Sequence, residues 1–285
     1  IYPHNPGKTV RATLIALSAL IPSTALAWPG ASDWLPVQQN GVNMVDPIAD
    51  HRHTDVTLGD HLDFVGDSND LVLQWWADMN NLFVRIRVNE DPWSSATQTQ
   101  LQKGSWAIGL DLDGDATTFE YAISQNGPSA NMNLWEVDFS QTGVEAELTL
   151  VTSLAANEAI TQLSQATSNL GGDTDWLMDV KIAWSLLEAE VGLTSDSPFG
   201  IIVISEDEYI ADQYEVDLVG HDDSSGLGSV ADGRSDDLAW DSDGDQLSNA
   251  FAMNAGTDPF DGDTDDDGLS DYEELNGIGS DPLLC

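Results

Sequence analysis

The chain has 285 residues, of which 50 are Asp or Glu and only eight are Lys or Arg, giving a formal net charge of −42. Because so acidic a surface repels nucleic acid and anionic lipid, both are excluded as expected partners. The length allows one full-sized domain and a smaller appendage. A single cysteine, Cys285, excludes an intrachain disulfide.

The N-terminal 27 residues have the order of a secretory signal peptide. Two cations precede a ten-residue apolar run at 12–21, and a small-residue site follows at 25–27. We therefore expect export, cleavage before Trp28, and a mature chain that is extracellular or at the cell surface. The alternative is a membrane anchor, but ten residues cannot cross about 30 Å of hydrocarbon. We expect no membrane insertion of the mature chain.

Runs with a period of two residues dominate residues 28–222, which predicts an all-β domain. Turn signals separate the runs, so we expect an antiparallel β-sandwich of jelly-roll type. Only two short segments, 155–169 and 184–191, have helical patterning. The predicted strands are 70–78, 82–89, 105–113, 118–124, 133–139, 144–151, 178–184 and 199–205.

The first two runs are predicted to form a hairpin closed by residues 78–81. In this register one face of the hairpin is wholly apolar and belongs in the core. The other face combines flat aromatic rings with planar hydrogen-bonding groups. Such a mixture suits sugar, because sugar C–H faces stack on rings and hydroxyls bind amides and guanidinium groups. The pairs on this second face are Trp76 with Phe83, Gln74 with Arg85, and Val72 with Arg87.

A glycan-binding face is therefore one interpretation of this hairpin, and its two arginines would suit an acidic polysaccharide. The alternative interpretation is structural. In that case Trp76 packs under a loop, and each arginine pairs with a neighbouring aspartate.

Two further motifs have the residue types of metal ligands. Asp111, Asp113 and Asp115 alternate as calcium ligands do, but no acid stands at the twelfth position. A turn that ends a strand explains them equally well. His51 and His53 also alternate, but no third zinc ligand is recognisable by spacing. We therefore expect these two histidines to be solvated loop residues.

The large domain resembles family 9 carbohydrate-binding modules and related DOMON-like domains. The resemblance is carried by "LQWWADMNNLFVRIRVNEDPW" (73–93), "WAIGLDLDGD" (106–115), "WLMDVKIAWSLLEAEVGL" (176–193) and "FGIIVISED" (199–207). It implies a jelly-roll sandwich and, in some members, glycan binding between aromatic rings. It does not assign the clamping pair of rings to positions here. The candidate rings are Trp76, Trp93, Trp106 and Trp135.

Residues 223–240 are rich in Gly, Ser and Asp and are predicted to be a flexible linker. The following segment, 241–285, repeats itself with a period of 22 residues. In the second copy, acidic residues and one glycine fill positions 1, 3, 5, 6, 9 and 12 of a twelve-residue calcium loop, and the carbonyl of Leu269 serves position 7. Those six residues are Asp263, Asp265, Asp267, Gly268, Asp271 and Glu274. Calcium is therefore the predicted cofactor.

The first copy departs from this pattern at two positions. Gln246 stands where a glycine should allow positive φ, and Ala252 stands where the bidentate acid should be. We expect a weaker site there, with Asp258 and Asp261 as candidates to complete it. The predicted ligands of the first copy are Asp241, Asp243, Asp245 and Asn249.

The repeated segment resembles the thrombospondin type 3 repeats of secreted bacterial proteins. The motif is "DxDxDGLSDxxE" followed by "GSDP" in the second copy, and the first copy has "GTDP" at the corresponding place. An EF-hand would need a helix before the loop, and Pro259 with two glycines stands there instead. The resemblance implies a calcium-bound cable with little core of its own.

Together these features predict a secreted or cell-surface, non-catalytic protein that binds glycan and carries a calcium-stabilised stalk. No nucleophile elbow, zinc-protease helix, phosphate loop or dinucleotide fingerprint occurs. In so acidic a chain, two neighbouring carboxylates are no evidence for a glycosidase. Two alternatives stay open: a structural or adhesive envelope protein without sugar binding, and a fragment of a secreted hydrolase whose catalytic domain lies beyond Cys285.

Overall fold

A computed structural model describes most of the chain from Trp28 onward. The predicted signal peptide, the histidines at 51 and 53, and Cys285 lie outside the described residues. The described ranges are 28–47, 60–78, 80–94, 100–115, 117–127, 132–139, 147–155, 158–170, 172–194, 197–206, 216–220, 233–238, 241 and 243–284.

Strands dominate the described part of 28–222, and each of the eight predicted runs overlaps one of them. Alternate residues are buried in the strand Leu73–Ala77, as the period of two predicts, whereas the strand Trp176–Ala183 is buried at most of its positions. The strands are β1 (Leu35–Pro36), β2 (Gln38–Gln39), β3 (Val42–Asn43), β4 (Leu73–Ala77), β5 (Asn81–Val88), β6 (Ser105–Asp111), β7 (Tyr121–Asn126), β8 (Met132–Asp138), β9 (Glu147–Ser153), β10 (Ala159–Gln165), β11 (Trp176–Ala183), β12 (Gly200–Glu206) and β13 (Val216–Leu218).

The strands form a sandwich of two antiparallel sheets, which confirms the predicted fold class. The five-stranded sheet has the order β1-β4-β5-β11-β10, and the six-stranded sheet has the order β13-β12-β6-β7-β8-β9. The strands β2 and β3 form a small separate pair. One main core fills the space between the sheets, with Trp75 and Val84 on one side and Ile108 and Val203 on the other.

The hairpin of β4 and β5 has the predicted register. Its turn is closed by Asp78, whose Oδ1 accepts hydrogen bonds from the backbone N–H groups of Asn80 and Asn81, both at 2.7 Å. An aspartate that binds the backbone two and three residues ahead is a common way to start a turn. The observed pairs are Leu73 with Ile86, Gln74 with Arg85, Trp75 with Val84, and Trp76 with Phe83.

Of the two predicted helical segments, one is a helix and the other is not. Helix α1 spans Trp184–Val191 and ends at Gly192, which has a φ of 76°. Residues 155–169 instead contain β10, which pairs along its length with β11. Ala159 of β10 is buried in the core and Leu163 packs against it. Burial of alternate residues and pairing of the backbone have therefore overridden the helical patterning.

The predicted linker at 223–240 is not free along its whole length. The backbone N–H groups of Ser235 and Leu238 donate to the carbonyls of Ile201 and Phe199, each at 2.9 Å. Leu238 is 3% exposed and belongs to the main core. The prediction of a flexible linker is therefore wrong for residues 233–238, because they complete the edge of the sandwich.

The first acidic repeat also lies against the sandwich. Its helix α2 (Asn249–Ala255) runs beside β4, and Met253 packs against the main core. Ser248 caps α2 by accepting a hydrogen bond from the backbone N–H of Phe251. The second repeat ends in a π-helix at Glu273–Ile278. The repeated segment thus begins in contact with the domain rather than at a distance from it.

Candidate calcium loops and the outer face of the five-stranded sheet

The second loop brings three of its predicted ligands together. Side-chain oxygens of Asp263, Asp265 and Asp267 lie within 4.8 Å of one another. Backbone N–H groups hold these carboxylates in place: Gly268 donates to Asp263 at 2.9 Å, and Leu269 donates to Asp267 at 2.9 Å. Alternate side chains of a curled loop thus converge on one point, which is the arrangement that a hard cation requires.

Glu274, the predicted bidentate ligand, is buried, and none of the described residues forms a hydrogen bond with its carboxylate. It is 1% exposed, and both of its carboxylate oxygens lack a hydrogen-bond partner among the described residues. A buried carboxylate with no partner destabilises a fold by several kcal/mol on the order-of-magnitude scale for unpaired charges. A bound cation would remove that penalty, and an all-oxygen donor set fits calcium rather than zinc.

Asp271, the predicted ligand at position 9, stabilises the loop through hydrogen bonds from Thr264. Its two oxygens accept hydrogen bonds from the backbone N–H of Thr264 at 3.0 Å and from the Thr264 hydroxyl at 2.8 Å. Asp271 is 1% exposed. In calcium loops this position often binds the ion through water, which is compatible with a carboxylate already held by the loop.

The clustered carboxylates repel one another and favour bound positive charge. Burial raises the pKa of Asp265 above its ordinary value, and the charges of Asp267 and Asp263 add to the rise. In the first loop, burial raises the pKa of Asp243 to about 6, with a further contribution from the neighbouring carboxylates. Both groups therefore hold a proton more tightly than an ordinary aspartate, and a divalent cation would relieve the same repulsion.

The first loop has the same backbone geometry as the second, but its glycine is at position 4, whereas the glycine of the second loop is at position 6. Oxygens of Asp241, Asp243 and Asp245 also lie within 4.8 Å of one another. Both loops have positive φ at positions 4 and 6. The four residues are Gly244 at 80° and Gln246 at 84° in the first loop, and Asp266 at 59° and Gly268 at 94° in the second.

The first loop therefore keeps its shape at the expense of strain at Gln246, as the sequence predicted. The strain at Gln246 affects the backbone of the loop, whereas the other departure, Ala252, affects the set of ligands. Asn249, the predicted ligand at position 9, is 3% exposed, and Ala252, at the bidentate position, is 3% exposed and supplies no oxygen from its side chain. The candidates for completing the site, Asp258 and Asp261, are both exposed and accept hydrogen bonds from Phe260 and Asp263.

The two repeats are joined at a contact that the sequence did not indicate. Oδ2 of Asp245 accepts a hydrogen bond from the backbone N–H of Tyr272 at 3.1 Å. Asp271 donates its backbone N–H to the carbonyl of Gly262 at 3.0 Å. Gly262 is required there, because a Cβ at that position would lie 2.9 Å from the Cβ of Asp245. A predicted ligand of the first loop thus contacts the segment that carries Glu274.

At 111–115 the structure brings together a partly different set of carboxylates from the one that the sequence indicated. Asp111 is fully buried, and it forms an ion pair with Arg234. The carboxylates that converge are Asp111, Asp113 and Glu120, whereas Asp115 accepts hydrogen bonds from Thr117. Arg234 already neutralises the buried carboxylate, so this turn is held by an ion pair and hydrogen bonds within the chain.

The predicted glycan face lies on the outer side of the five-stranded sheet, and much of it is covered. Phe83 is 0% exposed and has Trp28 and Trp76 as ring neighbours, with centroids 5.7 and 5.3 Å away. Arg85 binds both oxygens of Asp179, at 2.7 and 2.8 Å, and lies 4.1 Å from the ring centroid of Trp34. These contacts agree with the structural interpretation of the hairpin.

Arg87 is held in the same way as Arg85. Its guanidinium lies 3.4 Å from Asp70 and 3.8 Å from Asp175, and it also binds the hydroxyl of Ser168. Burial lowers the pKa of Arg87, and the two aspartates oppose that effect. The two arginines on which an acidic ligand was predicted are thus already paired with carboxylates.

A narrower strip of the same face stays partly exposed. It consists of Trp28, Gln74, Trp76 and Lys181, each half-buried. The ammonium of Lys181 lies 5.5 Å from the ring centroid of Trp28, and Lys181 stands opposite Phe83 in the sheet. We call these four residues the outer strip. The sequence did not identify Trp28 or Lys181, because neither lies in the hairpin.

The other candidate tryptophans lie apart from this strip. Trp106 is 2% exposed in the main core, beside the ring of His61. Trp93 is half-buried and packs against the same core. Trp135 lies on the outer face of the opposite sheet, where its indole N–H donates to Ser124 at 2.8 Å. Of the four predicted tryptophans, Trp76 therefore lies on the outer strip, where it shares Phe83 as a ring neighbour with Trp28.

No helix within the described ranges is long and apolar enough to cross a membrane.

The solved structures to which this chain is similar include two β-rich domains. One is a family 9 carbohydrate-binding module from Caldicellulosiruptor kristjanssonii in complex with cellotriose, at 13% identity and a TM-score of 0.29, covering 65% of this chain and 82% of that chain. The other is the B domain of a biofilm associated protein, at 12% identity and a TM-score of 0.27, covering 74% of this chain and 52% of that chain. At these TM-scores the likenesses assign no residue and no ligand.

No curated protein matches the chain. For the C-terminal segment, a family is found: residues 241–262 and 263–284 match the model of the bacterial TSP3 repeat, which confirms the predicted resemblance to thrombospondin type 3 repeats.

Proposed function

We propose that this chain is a secreted or cell-surface, non-catalytic binding protein, in which the sandwich binds glycan and the two repeats bind calcium. The observation that carries the calcium assignment is Glu274, a buried carboxylate whose two oxygens have no hydrogen-bond partner among the described residues. The glycan assignment rests on the outer strip, where two indole rings and an ammonium group are partly exposed on one sheet face.

In the second loop, calcium would be held by six groups at the spacing of a twelve-residue loop. The match of 263–284 to the bacterial TSP3 repeat supports this assignment. The first loop would bind more weakly, because its three converging carboxylates have no acid at position 12. The proposed ligands of the second loop are Asp263, Asp265, Asp267, Asp271, Glu274 and the carbonyl of Leu269.

In the sandwich, a sugar ring would stack on Trp76 or Trp28, and its hydroxyls would bind Gln74 or Lys181. Phe83, Arg85 and Arg87 would act as support, since they are buried or paired beneath the strip. Lys181 is then the cation of this face that is available to an acidic sugar, because the structure records its contact with Trp28 and no ion pair to a described residue.

The repeats would act as a stalk that calcium stiffens. Because α2 lies against β4, the first repeat would serve as the junction with the sandwich and the second repeat as the part that extends from it. We place the domain boundary accordingly: the sandwich comprises 28–222 together with 233–238, and the repeats occupy 241–285.

A glycan array with the mature chain tests the glycan assignment. We expect binding to at least one neutral or acidic polysaccharide, and a loss of about tenfold in affinity for Trp76→Ala, since a lost aromatic stack removes about 1.4 kcal/mol. Trp135→Ala is the matched control, because that half-buried ring lies on the opposite sheet. Equal binding by both variants would rule out the outer strip as the site.

The second candidate function is a structural or adhesive envelope protein that binds no sugar. The observation that favours it is the internal pairing of Arg85 and Arg87 with aspartates, together with the complete burial of Phe83. If the wild-type chain bound no glycan on the array, that result would support this candidate over glycan binding.

A further inference from the structure

Among the described strands, β9 forms one edge of the six-stranded sheet, and its first residue is Glu147. It pairs with β8 on one side, and none of the described strands pairs with it on the other. An edge strand presents unpaired backbone N–H and C=O groups, and proteins usually protect such edges with charged residues or proline. Residues 148–153, "LTLVTS", contain neither. Beyond Glu147, the strand therefore has no charged side chain that would oppose pairing with another strand.

The same strand exposes two large apolar side chains. Leu148 is 55% exposed and Leu150 is 49% exposed. They lie on the outer face of the sheet, where Leu148 stands opposite Val137 and Leu150 stands opposite Trp135. The row from Trp135 to Leu150 thus ends at the edge of the sheet, with apolar surface that another strand could cover.

We propose that β9 pairs with β9 of a second copy of this chain, antiparallel, about a two-fold axis at Thr149. In this register Leu148 of each copy lies opposite Leu150 of the other, on the same face of the sheet. The apolar row then continues across the axis, from Trp135 and Leu150 of one copy to Leu148 and Val137 of the second. A strand that is complementary to itself in this way favours a closed two-fold dimer.

The charge of the chain determines how this dimer responds to salt. Two copies with a formal charge of −42 each repel one another over distances longer than the contact itself. The contact between strands consists of backbone hydrogen bonds and apolar side chains, which salt does not screen. Raising the ionic strength from about 0.15 M to 1 M shortens the screening length from about 8 to 3 Å, so it should strengthen the dimer.

The size of the contact determines how strong the dimer can be. The strand has seven residues, Glu147–Ser153, and at about 3.4 Å per residue it is roughly 24 Å long. One pair of strands of that length buries less than a standard protein interface. We therefore expect a weak, reversible dimer rather than an obligate one.

Analytical ultracentrifugation of the mature chain, over a concentration series at low and high salt, tests the proposal. We expect a monomer–dimer equilibrium whose dimer fraction rises with salt. Leu150→Lys should abolish the dimer by placing like charges beside the axis. The control is Val42→Lys, at a 68% exposed position on β3, which should leave the dimer unchanged. A wild-type chain that stays monomeric at high salt, or an unaffected Leu150→Lys dimer, would overturn the proposal.

Disulfide trapping tests the register directly and detects even a weak dimer. In an antiparallel pair, directly opposite Cα atoms lie about 4.5–5.5 Å apart, within the range for a disulfide. With Cys285→Ser as background, Thr149→Cys should form an intermolecular disulfide under mild oxidation much faster than Thr117→Cys, an exposed position elsewhere. Equal rates for the two variants would contradict an axis at Thr149.

Discussion

The carboxylate of Asp245 in the first acidic loop accepts a hydrogen bond from the backbone N–H of Tyr272, two residues before Glu274. A carboxylate at the start of a helix satisfies a free N–H group and interacts favourably with the helix dipole. The incomplete first loop thus supports the segment that places the bidentate acid of the second loop.

Removal of Asp245 should weaken calcium binding at the second loop. Loss of a capping carboxylate destabilises a helix start by about 1 kcal/mol, which corresponds to roughly a fivefold weaker affinity if the helix orders on binding. Isothermal titration calorimetry of Asp245→Ala measures the effect. The control is Asp281→Ala, an exposed acid of the second repeat that is not a predicted ligand. Equal losses in the two variants would indicate a general charge effect and not a specific contact.

Exchange of glycine at position 6 should have opposite effects in the two loops. Gln246 has a φ of 84°, and a residue with a Cβ in that region is strained by about 1 kcal/mol. Gln246→Gly should therefore strengthen calcium binding by the first loop, by about fivefold. Gly268→Gln should weaken binding by the second loop to a similar extent. An unchanged first-loop affinity in Gln246→Gly would show that φ strain does not limit that site.

The calcium-free first loop should become more stable as the pH falls through 6. Burial raises the pKa of Asp243 in the folded loop to about 6, above the ordinary value for an aspartate, so the folded loop binds this proton more tightly than the unfolded chain does. The destabilisation is complete above the folded pKa and fades as the pH falls below it. Calcium binding, which needs the deprotonated form, should weaken over the same interval.

Carboxyl chemical shifts in NMR would follow this titration. We expect a midpoint near 6 for Asp243 without calcium, whereas Asp115, whose pKa is lowered by hydrogen bonds from Thr117, should titrate below its ordinary value. If Asp243 titrated near 4 with no calcium present, the loop would not hold its carboxylates together in solution.

Removal of Arg234 should destabilise the sandwich strongly. Asp111 is fully buried, so Arg234→Gln would leave a buried charge without its ion-pair partner. We expect the free energy of unfolding to fall by roughly 3–5 kcal/mol, the range for a broken buried ion pair. The double variant Arg234→Gln with Asp111→Asn should recover much of that loss. Urea unfolding measures both, with Asp237→Asn as the control, because that second partner of Arg234 is 38% exposed. A change below about 1 kcal/mol for Arg234→Gln would contradict the assignment.

The features that could be predicted from the sequence are those set by short-range pattern. The register of β4 with β5 followed from alternating burial on either side of a short turn. The loop at 263–274 followed from residue types at fixed spacing, and the strained φ at Gln246 followed from the comparison of the two copies.

The features that were missed depend on contacts between distant parts of the chain. The ion pair of Arg234 with Asp111 joins residues far apart in sequence and fixes a segment whose composition is that of a linker. Lys181 meets Trp28 only because β11 lies beside β5 and the N-terminal segment crosses the outer face. For β10, helical patterning over 155–169 gave the wrong element, because pairing with β11 outweighed it.

Calcium titration of the mature chain by calorimetry, comparing wild type with Glu274→Gln, tests the central claim most directly. Glu274→Gln keeps the size of the side chain and removes the charge, so the calcium-free fold should be at least as stable as wild type. We expect the tighter of two binding events in wild type to be weakened by about 100-fold or more, or lost, in the variant, since a bidentate acid at position 12 is removed. Identical titrations for the two proteins would contradict calcium binding through Glu274.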